Sequence, residues 1–153
     1  MSRGPGRVMR ALRAEVVRTP RVWQTYEQLA RVIYSTDAPP RAQLVAVGRA
    51  ARRLADARQL AVARDEEDAR VPLVGAPWLW HDVLSELDYR SLPVDELADR
   101  LRRESPEIHR ACQELADAGE VWFETQRSSD VTRRDVGDVW VVSTQRRQPH
   151  AAL

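Results

Sequence analysis

Two stretches of this chain say nearly the same thing. Residues 52–64 read RRLADARQLAVAR, and residues 113–125 read QELADAGEVWFET. In each, Leu-Ala-Asp-Ala is followed two residues later by an apolar run. Shifted by 61 positions, Val47 meets Ile108, Ala50 meets Ala111, Ala51 meets Cys112, Leu54 meets Leu115, and Leu60 meets Val121. Spacings of three and four residues put these side chains on one face of a helix. Self-similarity of this kind predicts one supersecondary unit built twice.

The match continues upstream with a different offset. TYEQLARVI (25–33) aligns with PVDELADRL (93–101) at a shift of 68. Tyr26 meets Val94, Leu29 meets Leu97, Ala30 meets Ala98, and Ile33 meets Leu101, again an i, i+3, i+4, i+7 stripe. The change in offset makes the connection between these two helices seven residues longer in the first copy. Thr25 followed by Gln28 fits a capping box. Pro93 with Asp95 and Glu96 suits a helix start. Gly119 suits the left-handed position after a helix, where the first copy has Arg58, so that helix is expected to end differently.

A further amphipathic helix precedes each pair. In residues 7–17 it places Val8, Met9, Leu12 and Val16 on one side; in 78–89, Trp80, Val83, Leu84 and Leu87. After each third helix comes β-like sequence. EVWFETQ (120–126) and DVWVVST (138–144) flank a polar loop, and LAVAR and RVPLV flank DEEDA (65–69). The expected fold is mainly α with small β-hairpins (α+β): three helices and a hairpin, twice. The expected layout is an arm at 1–6, units at 7–74 and 77–144, and a tail at 145–153. Both tails are expected to be disordered, and the first is a candidate basic arm for DNA. The chain's 153 residues suit two small domains.

Charge separates the copies. Residues 1–76 hold 14 Arg and 8 acidic residues, a balance of +6; residues 77–153 hold 10 Arg and 15 acidic residues, a balance of −5. A basic half attracts polyanions and an acidic half does not. All 24 basic residues are Arg; GC-rich coding is sufficient explanation, so this says little about Arg-specific contacts.

The order of elements resembles the winged helix-turn-helix superfamily. The residues that carry the resemblance are VDELA (94–98), the short turn, and SPEIHRACQELADAGEVWF, within 77–144. The first unit matches in TYEQLA and VGRAARRLADARQLAV, and departs in its longer connection and missing glycine. The resemblance implies that each third helix is a candidate for the DNA major groove and each hairpin a wing. It is weaker on function, since winged helices also dimerise and dock proteins.

On residues 41–58, Leu44, Val47, Ala51 and Leu54 are expected to face the core, leaving Arg41, Gln43, Gly48, Arg49, Arg52 and Arg53 outward. Arg and Gln suit guanine and adenine edges, and Arg also binds phosphate; the competing reading is a solvated Arg-rich face. Thr25 and its helix-start amides are candidates for a phosphate. The acidic turn 65–69 would be repelled by phosphate, so it points away from DNA, meets a protein, or is simply solvated. In the second unit the third helix offers Glu107, His109, Arg110, Gln113 and Glu114, and the wing Arg127, Arg133 and Arg134. DNA binding there competes with dimerisation or partner docking. Trp122 and Phe123 alternate, so one is expected to pack inward and the other outward.

No catalytic constellation is evident. His81, His109 and His150 lack metal-ligand spacing, Cys112 sits at an apolar helix position, and there is no glycine-rich phosphate loop. The expectation is no enzyme, no cofactor and no metal. With no bilayer-length apolar run, no apolar leader and a single cysteine, the expected setting is the bacterial cytoplasm, at the nucleoid, with no membrane contact. Double-stranded DNA is the expected partner, and transcriptional regulation the leading function. The alternative is a tandem winged-helix assembly protein, such as a chromosome-condensation accessory subunit or a plasmid replication or partition factor. Homodimerisation and a self-sufficient tandem pair both remain open.

Overall fold

The computed structural model describes residues 5–88, 90–127 and 138–144. Within them lie six helices and two three-stranded antiparallel sheets, an α+β architecture. The chain forms two compact units, Met1–His81 and Asp82–Leu153.

In the first unit, α1 (Pro5–Arg18) is followed by a short strand β1 (Gln24–Thr25), α2 (Tyr26–Tyr34), α3 (Arg41–Asp56), and the hairpin β2 (Ala61–Arg64) and β3 (Pro72–Gly75). The sheet order is β1-β3-β2, with Gln24 opposite Val74 and Val62 also opposite Val74. Leu12, Val16, Leu29, Ala30, Val47, Ala51, Leu54, Leu60 and Val74 form the core. Leu12, Val16, Leu29, Ala30, Val47, Ala51 and Leu54 lie on the helical stripes, whereas Val74 comes from the hairpin and Leu60 from the residue just before it. The stripe residues Val8, Met9, Tyr26, Ile33 and Leu44 are only partly buried. Pro5 and Gly6 belong to α1, so the expected arm is shorter by two residues.

The second unit takes in most of α4 (Trp78–Glu86), then β4 (Ser91–Pro93), α5 (Val94–Leu101), α6 (Ser105–Asp117), β5 (Trp122–Arg127) and β6 (Asp138–Ser143). Its sheet order is β4-β6-β5, the same topology as in the first unit. Val83, Leu84, Leu87, Leu97, Ile108, Ala111, Cys112 and Leu115 are buried. The expected tail 145–153 and most of the loop 127–137 lie outside the described residues.

The hairpins are therefore incomplete as a description. Each is joined by a strand immediately before the second helix, which turns two strands into three. The division between units falls inside α4, after His81. A physical reason is visible in the rings: His81 stacks on Trp23 at 4.9 Å between centroids, and Trp78 lies 5.3 Å from Trp23. Gly75 makes room for that indole, since a Cβ there would come within 2.6 Å of Trp23 Cε3.

The helix starts and stops explain where the two copies differ. The capping box at α2 forms: Gln28 N donates to Thr25 Oγ1 at 3.2 Å, and Thr25 N donates to Gln28 Oε1 at 2.9 Å. The seven extra residues of the first copy are not all loop. One lengthens α2, which has 9 residues against 8 in α5. Three extend the start of α3, which has 16 residues against 13 in α6. The rest lengthen the connection. The expectation that α3 ends differently from α6 does not hold. Arg58 adopts φ +58, as Gly119 adopts φ +76, and the closing bonds match: Gln59 N to Leu54 O, and Glu120 N to Leu115 O, both 2.9 Å or less.

Candidate functional site

The candidate site is the outward face of α3. Its inward stripe is fixed by Val47, Ala50, Ala51 and Leu54, all buried. The periodicity of the helix then leaves Ala42, Val45, Arg49, Arg52 and Asp56 along one exposed line, with Arg41 and Arg53 beside it. Val45 is 42% exposed in the middle of this basic stripe.

Gly48 departs from the expected outward set. It is buried, and a Cβ there would lie 2.9 Å from Tyr26 Cε2. It serves the close approach of α2 to α3. Gln43 is half-buried, and its Oε1 is buried with no hydrogen-bond partner. Thr25 is half-buried too, and its amide and that of Gln28 are already used in the capping box. The Thr25 hydroxyl and the first-turn amides of Tyr26 and Glu27 are not used by the capping box.

The arginines of α3 are exposed and, among the described residues, make no ion pair. Arg49, Arg52 and Arg53 sit three and four residues apart, where like charges repel by a few tenths of a kcal/mol per pair. Arg53 lies in the last turn and gains from the helix dipole, which accounts for it structurally. Arg41 has the opposite problem. It stands at the positive helix end, where a cation costs about 0.3–1 kcal/mol, and the first turn holds no acidic residue. An external anion would relieve both arrangements.

Other arginines are held by neighbours. Arg31 meets Glu27 at 2.6 Å, and Arg18 meets Glu15 at 2.7 Å. In the second unit Arg90 and Arg100 both reach Glu86, Arg100 also reaches Glu96 at 3.0 Å, and Arg103 lies 3.7 Å from Glu107. The first turn of α6 carries Glu107. That helix start has the opposite sign from that of α3.

The remaining expected site residues scatter. Arg110 is exposed on α6 without an ion pair among the described residues. Gln113 is exposed and donates to Asp117 Oδ1 at 3.3 Å. His109, expected to face outward, is half-buried because two rings pack on it edge-on: Phe123 at 4.8 Å and Trp140 at 5.1 Å. Glu114 is likewise half-buried. Arg127 ends β5 opposite Asp138. Arg133 and Arg134 lie outside the described residues. Of the aromatic pair, Phe123 is half-buried and Trp122 is 50% exposed.

The acidic turn between β2 and β3 has a structural job. Glu67 N donates to Asp65 Oδ1 at 2.8 Å and Arg70 N to Asp68 Oδ1 at 3.0 Å, so both aspartates fix the turn. Repulsion from an outside partner is not needed to explain them.

Sequence reasoning missed one feature. Arg49 and Arg53 line a cavity of about 620 Å³ with Arg7 of α1. The signal was split between α1 and α3 and needed the packing of one on the other. Among the described residues, no group of three or more His, Cys, Asp or Glu is placed to hold a metal ion, and no helix is long and apolar enough to cross a membrane. Cys112 is buried, which pushes its thiol up to about 12 from 9.0. Comparison with protein-family models gives no match, and comparison with curated proteins gives none.

Proposed function

We propose that the chain binds double-stranded DNA through α3 and acts in transcriptional regulation. The observation that carries this reading is the set Arg41, Arg49, Arg52 and Arg53, exposed on one helix with no ion pair among the described residues. The repeated order helix, strand, helix, helix, hairpin, with the first strand joining the last, is in keeping with the winged-helix resemblance. In that geometry α3 lies in the major groove. Arg49 and Arg52 reach base edges or phosphates, Arg41 and Arg53 reach phosphates, and Val45 is suited to a thymine methyl. Thr25 adds a hydroxyl contact. Arg110 is the one exposed arginine of α6 that could add a contact from the second unit. Such a protein would work at the nucleoid of a bacterial cytoplasm, without catalysis or a cofactor. The test is titration of a labelled duplex with the full chain at rising salt. Binding that weakens steeply supports the reading; absence of salt-sensitive binding to any duplex rejects it.

A second reading is assembly through the second unit. Trp122 and Trp140 are 50% and 39% exposed, on a domain of acidic balance. Tryptophan is enriched at protein interfaces. Phe123 lies 4.6 Å from Trp140, so part of this surface is already ordered. A concentration-dependent sedimentation coefficient that Trp140→Ala abolishes supports this second role; a monomer at all concentrations rejects self-association.

A further inference from the structure

The cavity at the junction of α1, the end of α2 and α3 has a chemistry that DNA binding does not use. Its walls are apolar: Val8 and Met9 from α1, Ile33 and Tyr34 from α2, Ala46 and Ala50 from α3. Ala50 is buried, and the other five are half-buried. Arg7, Arg49 and Arg53 line it as well, exposed and without an ion pair among the described residues. Its volume of about 620 Å³ falls within the range of small-molecule sites, roughly 300–1,000 Å³. A hollow lined by both apolar side chains and three guanidiniums fits a ligand with an apolar body and an anionic head. Guanidinium and carboxylate match as planar, two-point partners. Inorganic phosphate has the charge but nothing for the walls, and a neutral alcohol fits the walls but leaves the arginines unpaired.

We infer that this cavity binds a small amphipathic carboxylate, and that its occupant competes with DNA for Arg49 and Arg53. The site stands on the cavity alone; the competition rests on the proposed DNA-binding role of α3. Bound carboxylate neutralises two of the four α3 arginines and holds them against α1. The ligand-bound protein then offers DNA about half of its positive contacts.

The site is tested without DNA, by calorimetric titration of the full chain with octanoate, octanol and inorganic phosphate. Octanoate is expected to saturate one site per chain, with octanol and phosphate each at least about tenfold weaker. Arg49→Ala and Arg53→Ala should each weaken octanoate about tenfold, the loss of one charge-assisted pair. Ala46→Trp, which places an indole inside the cavity, should weaken octanoate binding, with a melting curve to show that the variant folds. Absence of saturable octanoate binding, equal binding of phosphate or octanol, or indifference to all three substitutions would overturn the site. Octanoate added to a protein–duplex complex should then lower DNA affinity at constant ionic strength, relative to chloride. If the duplex binds and octanoate binds without displacing it, the competition is refuted and the site stands. If no duplex binds while octanoate does, the DNA reading fails and the competition fails with it.

Discussion

Arg58 and Gly119 occupy the same left-handed backbone position, each two residues after the end of its third helix, with φ +58 and +76. One copy meets the geometric demand with glycine and the other forces it on a side chain. A non-glycine residue there costs about 1–2 kcal/mol, against about 0.5–1 kcal/mol for the extra entropy glycine loses on folding. Arg58→Gly should therefore stabilise the first unit by about 0.5–1 kcal/mol. Gly119→Ala, where no atom lies within 4 Å of the added methyl, should cost the second unit about 1 kcal/mol through the backbone alone. Denaturant midpoints of the two variants, shifting in opposite directions, would bear this out; shifts of the same sign would not.

Gly48 and Tyr26 give a prediction with a sign reversal. Glycine inside a helix costs about 1 kcal/mol relative to alanine, so Gly48→Ala should help if only α3 mattered. The added Cβ would sit 2.9 Å from Tyr26 Cε2, and overpacking of this kind costs about 1–3 kcal/mol. Gly48→Ala should thus destabilise by about 1 kcal/mol in the native background and stabilise when Tyr26 is already alanine. A double-mutant cycle in urea reads the coupling directly.

Much of the scaffold is legible in the amino-acid sequence. Leu29, Ala30, Leu54, Leu97, Ala98 and Leu115 could be assigned to the core because helical spacing is a strong periodic signal, repeated here in two copies. The strands Gln24–Thr25 and Ser91–Pro93 could not, because two or three residues are too few to show alternation. Arg58 was misread because composition rules see glycine and not the hydrogen bonds that demand a left-handed residue. Gly48 and His109 were placed outward by the helical wheel; Tyr26 in one case and Phe123 with Trp140 in the other cover them from distant segments. The exposed arginines of α3 were legible as a stripe. Their lack of acidic partners and the cavity shared with Arg7 depend on tertiary packing, which no local pattern encodes.

Cys112 supplies a pH dependence. Burial raises its thiol from 9.0 to about 12 in the folded chain. Between those values the unfolded chain releases the proton and the folded chain keeps it. Stability should therefore be whole below pH 9.0 and fall as pH rises toward 12. The decline should be shallower in Cys112→Ala, measured by urea unfolding across that window. A thiol reagent at pH 8 should react with the native protein only as fast as it unfolds; rapid labelling would contradict the buried, protonated state.

The capping box at α2 offers a separate check on the first unit. Thr25→Ala removes the acceptor for Gln28 N and should cost about 1 kcal/mol. Thr25→Ser keeps the hydroxyl and should cost much less. Equal losses in the two variants, seen in thermal melts, would show that the methyl and not the cap matters.

The central claim is that unpaired arginines on α3 meet phosphates. Anisotropy of a labelled duplex, titrated with the full chain over a series of salt concentrations, tests it most directly. Four arginine contacts predict that log K falls against log salt with a slope of about −3 to −4. Replacing Arg49 and Arg52 together by alanine should make that slope shallower by about 2, while alanine at Arg100 and Arg103, which are ion-paired within the second unit, should leave it unchanged. No salt-dependent binding, or an equal loss in both double variants, would contradict the assignment of α3 as the DNA-facing helix.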